Sequence, residues 1–169
     1  MSALAMMFFQ DPSLLAFQRR MQDRMHCSNL KTMFAVKNIP SDAVLRNTVD
    51  PVDTENFNCC FATLLGHLQR GKQLLPYKLD SAHYLIALDG SQYFSSDKIN
   101  CPSCLTYKGS KSKLRYSHQI LQAVMLNPDM RQVIPLAPEP IIKADGNNKN
   151  DCERSAGKRL IAKIRATHP

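Results

Sequence analysis

The feature that most constrains this chain is the apolar run 84–88, which ends abruptly at Asp89 and Gly90. A short apolar run bounded by a turn signal is typical of a buried β-strand. A carboxylate at the end of such a strand is held rigidly at the rim of a sheet, where its oxygens can bind a divalent cation. Asp89 is therefore the first candidate catalytic and metal-binding residue.

The residues before this run predict a helical region. Apolar residues of 56–68 recur at i, i+3, i+4 and i+7, which indicates an amphipathic helix with Cys60 on its packed face. Earlier helix starts are predicted at Asp11, which precedes a proline, and at Ser41, because both residue types cap helix N-termini. We therefore predict a helical domain at 1–75, with DNA binding as one role for it.

The residues after the run predict strands and a final helix. Strand-like segments occupy 116–126 and 132–136, and a helix begins at about Asp151. A change of pattern between 73 and 81 places a domain boundary there. We predict an α+β or α/β fold class, in which a β-β-β-α segment at 82–169 follows the helical region.

Basic residues outnumber acidic ones and fall into two clusters. The formal charge of +8 and the pI near 9.3 favour a polyanionic partner such as nucleic acid. The first cluster lies in a loop with a tyrosine at each end, which suits contact with a DNA backbone, although a solvated hairpin loop has the same composition. The candidate DNA-binding residues of this loop are Lys108, Lys111, Lys113 and Arg115. The second cluster lies on the last helix and comprises Lys158, Arg159, Lys163 and Arg165.

The hydropathy pattern predicts no membrane segment. The apolar stretch 3–9 lacks a preceding basic region and is too short to span a bilayer. We therefore expect a cytoplasmic protein, and in that reducing compartment its six cysteines are expected to be thiols.

One pair of cysteines has the spacing of metal ligands. Cys101 and Cys104 are separated by two residues, so a tight turn would place both thiolates at adjacent vertices of a tetrahedron, as in half of a zinc knuckle. His118 and His83 are candidates to complete the site. A histidine within a strand is also commonly a hydrogen-bonded structural residue, so the sequence leaves the remaining ligands open.

Several segments together resemble a known family. Ala-Leu-Asp-Gly-Ser-Gln-Tyr-Phe-Ser-Ser at 87–96, Cys-Pro-Ser-Cys at 101–104 and Tyr-Ser-His-Gln at 116–119 resemble the opening of the catalytic domain in bacterial insertion-sequence transposases of the Asp-Asp-Glu type. The resemblance is extended by the segments 39–42, 135–140 and 149–154.

This resemblance implies a ribonuclease-H-like fold whose three carboxylates bind two Mg²⁺ ions that activate the attacking group at a phosphodiester. It also implies double-stranded DNA, at transposon ends, as the partner. Asp89 matches the first carboxylate. The second Asp and the Glu are expected beyond residue 169, so we expect this chain to be inactive alone.

Two other functions fit the same residues. One is a non-catalytic DNA-binding remnant that competes with an intact transposase, and the other is a zinc-stabilised interaction module. If strand 84–88 lacks a neighbour on one side, its open edge also favours pairing with a second copy of the chain.

Overall fold

The computed structural model describes residues 1–23, 27–108, 113–143 and 150–167. In these ranges the α-helices are α1 (Ser2–Phe9), α2 (Leu14–Gln22), α3 (Cys27–Phe34), α4 (Asp42–Val49), α5 (Asn58–Arg70) and α6 (Glu153–Thr167). The strands are β1 (Leu85–Ser96), β2 (Leu105–Lys108), β3 (Leu114–Leu126), β4 (Ile134–Pro135) and β5 (Glu139–Ile141). Short 3-10 turns lie at Thr54–Phe57 and Leu75–Tyr77.

The chain divides into two compact units, Met1–Asn56 and Phe57–Pro169. In the first unit, apolar residues of α1, α2 and α3 pack together around the fully buried Phe17. Ser41 caps α4 as predicted, because its hydroxyl accepts a hydrogen bond from the Val44 N–H at 3.4 Å.

The start of α2 differs from the prediction at Asp11. The cap is Ser13, whose hydroxyl accepts a hydrogen bond from the Ala16 N–H at 3.1 Å. Asp11 instead forms an ion pair with Arg20 at 2.7 Å. An aspartate before a proline therefore serves a contact between side chains here rather than a helix end.

The second unit is built on an antiparallel sheet. Strand β3 is central, with β1 along one side and β2 along the other, while β4 and β5 also pair with β3. Side chains on the buried face of β3 pack against α6 around Leu121, Ala156 and Leu160. Mixed helices and strands with antiparallel pairing confirm the α+β part of the predicted fold class.

The units separate earlier than the predicted boundary at 73–81. Leu65 of α5, together with Leu74 and Tyr77, belongs to the same core cluster as the sheet. Helix α5 therefore belongs to the unit that contains the sheet, although the change from helix to strand along the sequence comes later.

The prediction that Asp89 ends a buried strand is wrong. Strand β1 continues to Ser96, so Asp89 lies within it, where its Cα pairs with that of Gln122. The residues after Gly90 stay in the strand because β3 continues to pair with β1 as far as Ser96. The pairing has one irregularity, between Gln92 and Phe94. Among the strands described, β1 pairs with β3 alone, so the backbone groups along its other edge have no strand partner.

Two further elements differ from the expectations. The predicted strand at 132–136 is reduced to the two residues of β4, and the strand β2 extends into the predicted basic loop as far as Lys108. Cys60 is exposed on α5 and is not part of the core. Only Leu65 of the predicted apolar helix face is buried, because the packing partners of α5 contact a narrow part of its surface.

Candidate metal centre and basic surface

A tight turn between β1 and β2 brings the two predicted cysteine ligands together. The Cys101 N–H donates to Cys104 Sγ at 3.2 Å, and the Cys104 N–H donates to the Cys101 carbonyl at 3.1 Å. The two Sγ atoms are 3.6 Å apart. The hydrogen bond from the Cys101 N–H favours the thiolate form of Cys104 and thus acts against the effect of burial on this thiol.

His118 supplies a third ligand atom from β3. Its Nε2 lies 3.3 Å from Cys101 Sγ and 3.3 Å from Cys104 Sγ. In a tetrahedral zinc site, ligand bonds of about 2.3 Å to sulfur and 2.0 Å to nitrogen separate neighbouring ligand atoms by roughly 3.8 and 3.5 Å. The three observed separations are slightly shorter than these. The three side chains are thus close enough to bind one metal ion.

The three residues differ in burial, and burial affects how readily a thiol loses its proton. Cys104 is buried, His118 is half-buried and Cys101 is exposed. Burial raises the pKa of the Cys104 thiol, which disfavours the free thiolate. A divalent cation would offset this effect, because a coordinated thiol is deprotonated.

His83, the other candidate ligand, lies elsewhere. Its Nδ1 is 2.8 Å from a carboxylate oxygen of Asp80, whose other oxygen accepts hydrogen bonds from the N–H groups of Ala82 and His83. These backbone and side-chain hydrogen bonds lower the pKa of Asp80 to about 2. His83 is therefore held by the turn before β1 and does not join the cysteine pair.

Asp89 stands apart from other acidic residues. It is exposed, and the adjacent Gly90 faces the Glu153 side chain of α6, so alternation along β1 directs Asp89 to the opposite face of the sheet. In the described ranges, the one group of three metal-binding side chains is the cysteine and histidine group, and Asp89 is not in it. The described residues therefore do not fit the carboxylate set of a two-magnesium site.

The predicted basic loop forms part of the hairpin between β2 and β3. Lys108 ends β2, and Lys113 immediately precedes β3; both are exposed. Arg115 is exposed and forms an ion pair with Asp97 at 3.0 Å. Lys111 lies outside the described residues. Lys108 and Lys113 are thus positively charged, solvent-accessible groups at the end of β2 and just before β3.

The basic residues of α6 are used differently. Glu139 of β5 is buried, and its carboxylate accepts hydrogen bonds from Arg159 at 2.6 Å and Lys163 at 2.7 Å. Arg159 also pairs with Asp151 at 2.8 Å. The pKa of Arg159 is raised, chiefly by its hydrogen bond to Glu139. Two of the four basic residues that form the second cluster are therefore engaged in an internal network.

Sequence reasoning missed the aromatic residues beside the metal centre. The rings of Tyr93 and Phe94 both contact the imidazole of His118. Two consecutive aromatic residues in a strand normally point to opposite faces. To predict this contact from the sequence, one would need to know that Tyr93 and Phe94 pair with His118. That pairing depends on the strand register, which local sequence does not specify.

Comparisons of the chain with protein-family models, curated proteins and solved structures found no match. None of the helices in the described parts of the chain is both long and apolar enough to cross a membrane. The assignment of function thus depends on the geometry of the site and on the resemblance in sequence.

Proposed function

We propose that this chain is a zinc-stabilised, DNA-binding protein of the insertion-sequence transposase type. The observation that carries the proposal is the convergence of Cys101, Cys104 and His118 at separations close to those around tetrahedral zinc. Two sulfurs and one imidazole nitrogen favour zinc over magnesium or calcium, which prefer oxygen ligands. A zinc ion bound to these three residues would link strand β3 with the turn that precedes β2.

The DNA-binding part of the proposal is supported by charge. The chain carries +8, and the hairpin next to the metal centre presents Lys108 and Lys113 to solvent. Lysines that contact phosphates release counterions and bind duplex DNA with little dependence on sequence. By joining β2 to β3, the metal would also hold the strands from which these lysines project.

The family part of the proposal remains an inference from sequence motifs. An antiparallel pair of long strands, followed by a helix on one sheet face, is compatible with the opening of a ribonuclease-H-like domain. Asp89 matches the first carboxylate of the family, but the described residues do not complete a magnesium site around it. We therefore propose no phosphodiester chemistry for these residues.

The zinc site is tested by measuring bound metal and thermal stability in the full chain. We expect one equivalent of zinc by mass spectrometry of metals. At free zinc about 100-fold above its dissociation constant, binding would stabilise the fold by about 2.7 kcal/mol, or roughly 10 °C in Tm. Cys104→Ser should abolish both effects, whereas Cys60→Ser, which changes an exposed thiol on α5, should abolish neither. A protein without stoichiometric zinc, or with equal loss in both variants, would disprove the site.

The DNA-binding surface is tested through the salt dependence of affinity for a random-sequence duplex. Removing Lys108 and Lys113 together by substitution to alanine should weaken binding and reduce the slope of log affinity against log salt by about 1.8. The control removes the same charge at Lys31 and Lys37, which are exposed in the first unit. A slope for the Lys108 and Lys113 double variant equal to that of the wild type would remove the hairpin from the binding surface.

A further inference from the structure

A bulge in β1 places two aromatic side chains opposite the histidine of the metal centre. The β1–β3 register runs evenly to Gln92, which pairs with Gln119, and then resumes with Phe94 paired to His118. Tyr93 is therefore an extra residue in β1. In a β-bulge two residues oppose one on the partner strand, and this irregularity can redirect a side chain beside a functional site.

The rings of both residues contact the His118 imidazole. The Tyr93 ring is stacked on it, with centroids 5.9 Å apart and planes inclined by 18°. The Phe94 ring lies 5.6 Å away and is tilted by 46°. Because the stacked contact restricts ring rotation, the imidazole is held with Nε2 directed at the two sulfurs.

This arrangement replaces a common support of metal-bound histidines. Such histidines usually donate the proton of their other ring nitrogen to a carboxylate or carbonyl, which fixes the orientation of the ring. Nδ1 of His118 has no such hydrogen bond to another described residue. The contacts with the Tyr93 and Phe94 rings are thus the interactions among the described residues, apart from the two sulfurs, that restrain the His118 imidazole.

We propose that Tyr93, placed by the bulge, is a positioning residue that orients His118 for metal coordination. The proposal rests on the proposed metal site and adds to it a residue that is not itself a ligand. Tyr93 remains 64% exposed, so it contributes little to the core. Orientation of the His118 imidazole explains why an aromatic residue lies at this exposed position in the bulge of β1.

The test measures zinc affinity of the full chain by competition with a coloured chelator. Loss of groups that orient a metal ligand typically lowers metal affinity by about 10- to 100-fold. We expect Tyr93→Ala to lower affinity within that range and Tyr93→Phe, which keeps the ring, to retain affinity within about twofold. Tyr107→Ala is the matched control, because Tyr107 is an exposed tyrosine on β2, the strand that pairs with the other side of β3.

Cobalt substitution and the metal-free protein separate positioning from a general structural role. In Tyr93→Ala the visible absorption of bound Co²⁺ should shift or weaken, while the Tm of the metal-free protein should match that of the wild type. Unchanged zinc affinity in Tyr93→Ala would overturn the proposal. So would equal loss in Tyr93→Phe, which would indicate that the hydroxyl acts as a ligand. A wild-type chain that binds no zinc would instead refute the underlying site, and with it the role of Tyr93.

Discussion

At the scale of single residues, the environment of Asp89 decides what it does. Its side chain is exposed on β1 and directed away from α6. Surface positions without buried contacts generally tolerate substitution. The acidic residue that the sequence singles out is therefore not required for folding, whatever its role beside further carboxylates.

For Asp89→Ala we expect a free energy of unfolding within about 0.5 kcal/mol of the wild type, because the side chain is exposed. DNA affinity should also be unchanged. We further expect that the 169-residue chain does not nick or join supercoiled DNA in the presence of Mg²⁺ or Mn²⁺. Metal-dependent cleavage that Asp89→Ala abolishes would show that carboxylates outside the described group complete an active site.

At the scale of secondary-structure elements, a buried ionic network attaches α6 to β5. Glu139 is 3% exposed, while the side chains of Arg159 and Lys163 are each about 40% exposed. The carboxylate is the buried member, and the two cations compensate it from the helix surface. Breaking a buried ion pair is costly because a charge is left without a partner.

Glu139→Ala should destabilise the second unit by about 2 kcal/mol. This is below the range of about 3–5 kcal/mol for a fully buried pair, because water can solvate the two cations that remain. Urea unfolding would measure the change. Asp97→Ala, which breaks the exposed pair with Arg115, is the control and should cost less than about 1 kcal/mol. Similar costs for the two variants would mean that the network adds no more than a surface pair.

At the scale of the whole molecule, β1 is a long edge strand of the sheet. It pairs only with β3 in the described structure, so its other edge carries backbone groups without a strand partner. Beside it lies a cavity of about 230 Å³ lined almost entirely by apolar side chains; its lining residues are Ile86, Leu88, Ile161, Ile164 and Arg165. An open edge next to apolar surface favours strand addition from another chain.

We expect the wild-type chain to self-associate as its concentration rises, by pairing of β1 with a second copy. Leu88→Lys should reduce association, because a charged side chain beside an open strand edge opposes pairing. Leu114→Lys is the control, since Leu114 is similarly exposed but lies at the start of β3. Sedimentation velocity would measure both. A wild-type chain that is monomeric throughout would show that the edge of β1 is covered.

The sequence by itself determined the features that depend on neighbouring residues. The strand nucleus at 84–88, the cap at Ser41 and the final helix were predicted because strand period, capping and helical period are local properties. The closeness of Cys101 and Cys104 in the candidate metal centre was also predictable, because a spacing of two residues allows a tight turn to bring both side chains together.

Only the tertiary structure decided which distant residues meet. The choice of His118 over His83 depends on the register between β2 and β3, which sets Leu105 opposite Ser117. The placement of Tyr93 on that histidine depends on the register between β1 and β3. A shift of one residue in register would move the side chains of a strand to the other face. The burial of Glu139, which engages Arg159, likewise follows from where α6 packs. Such contacts join residues far apart in the chain, and local sequence patterns do not specify them.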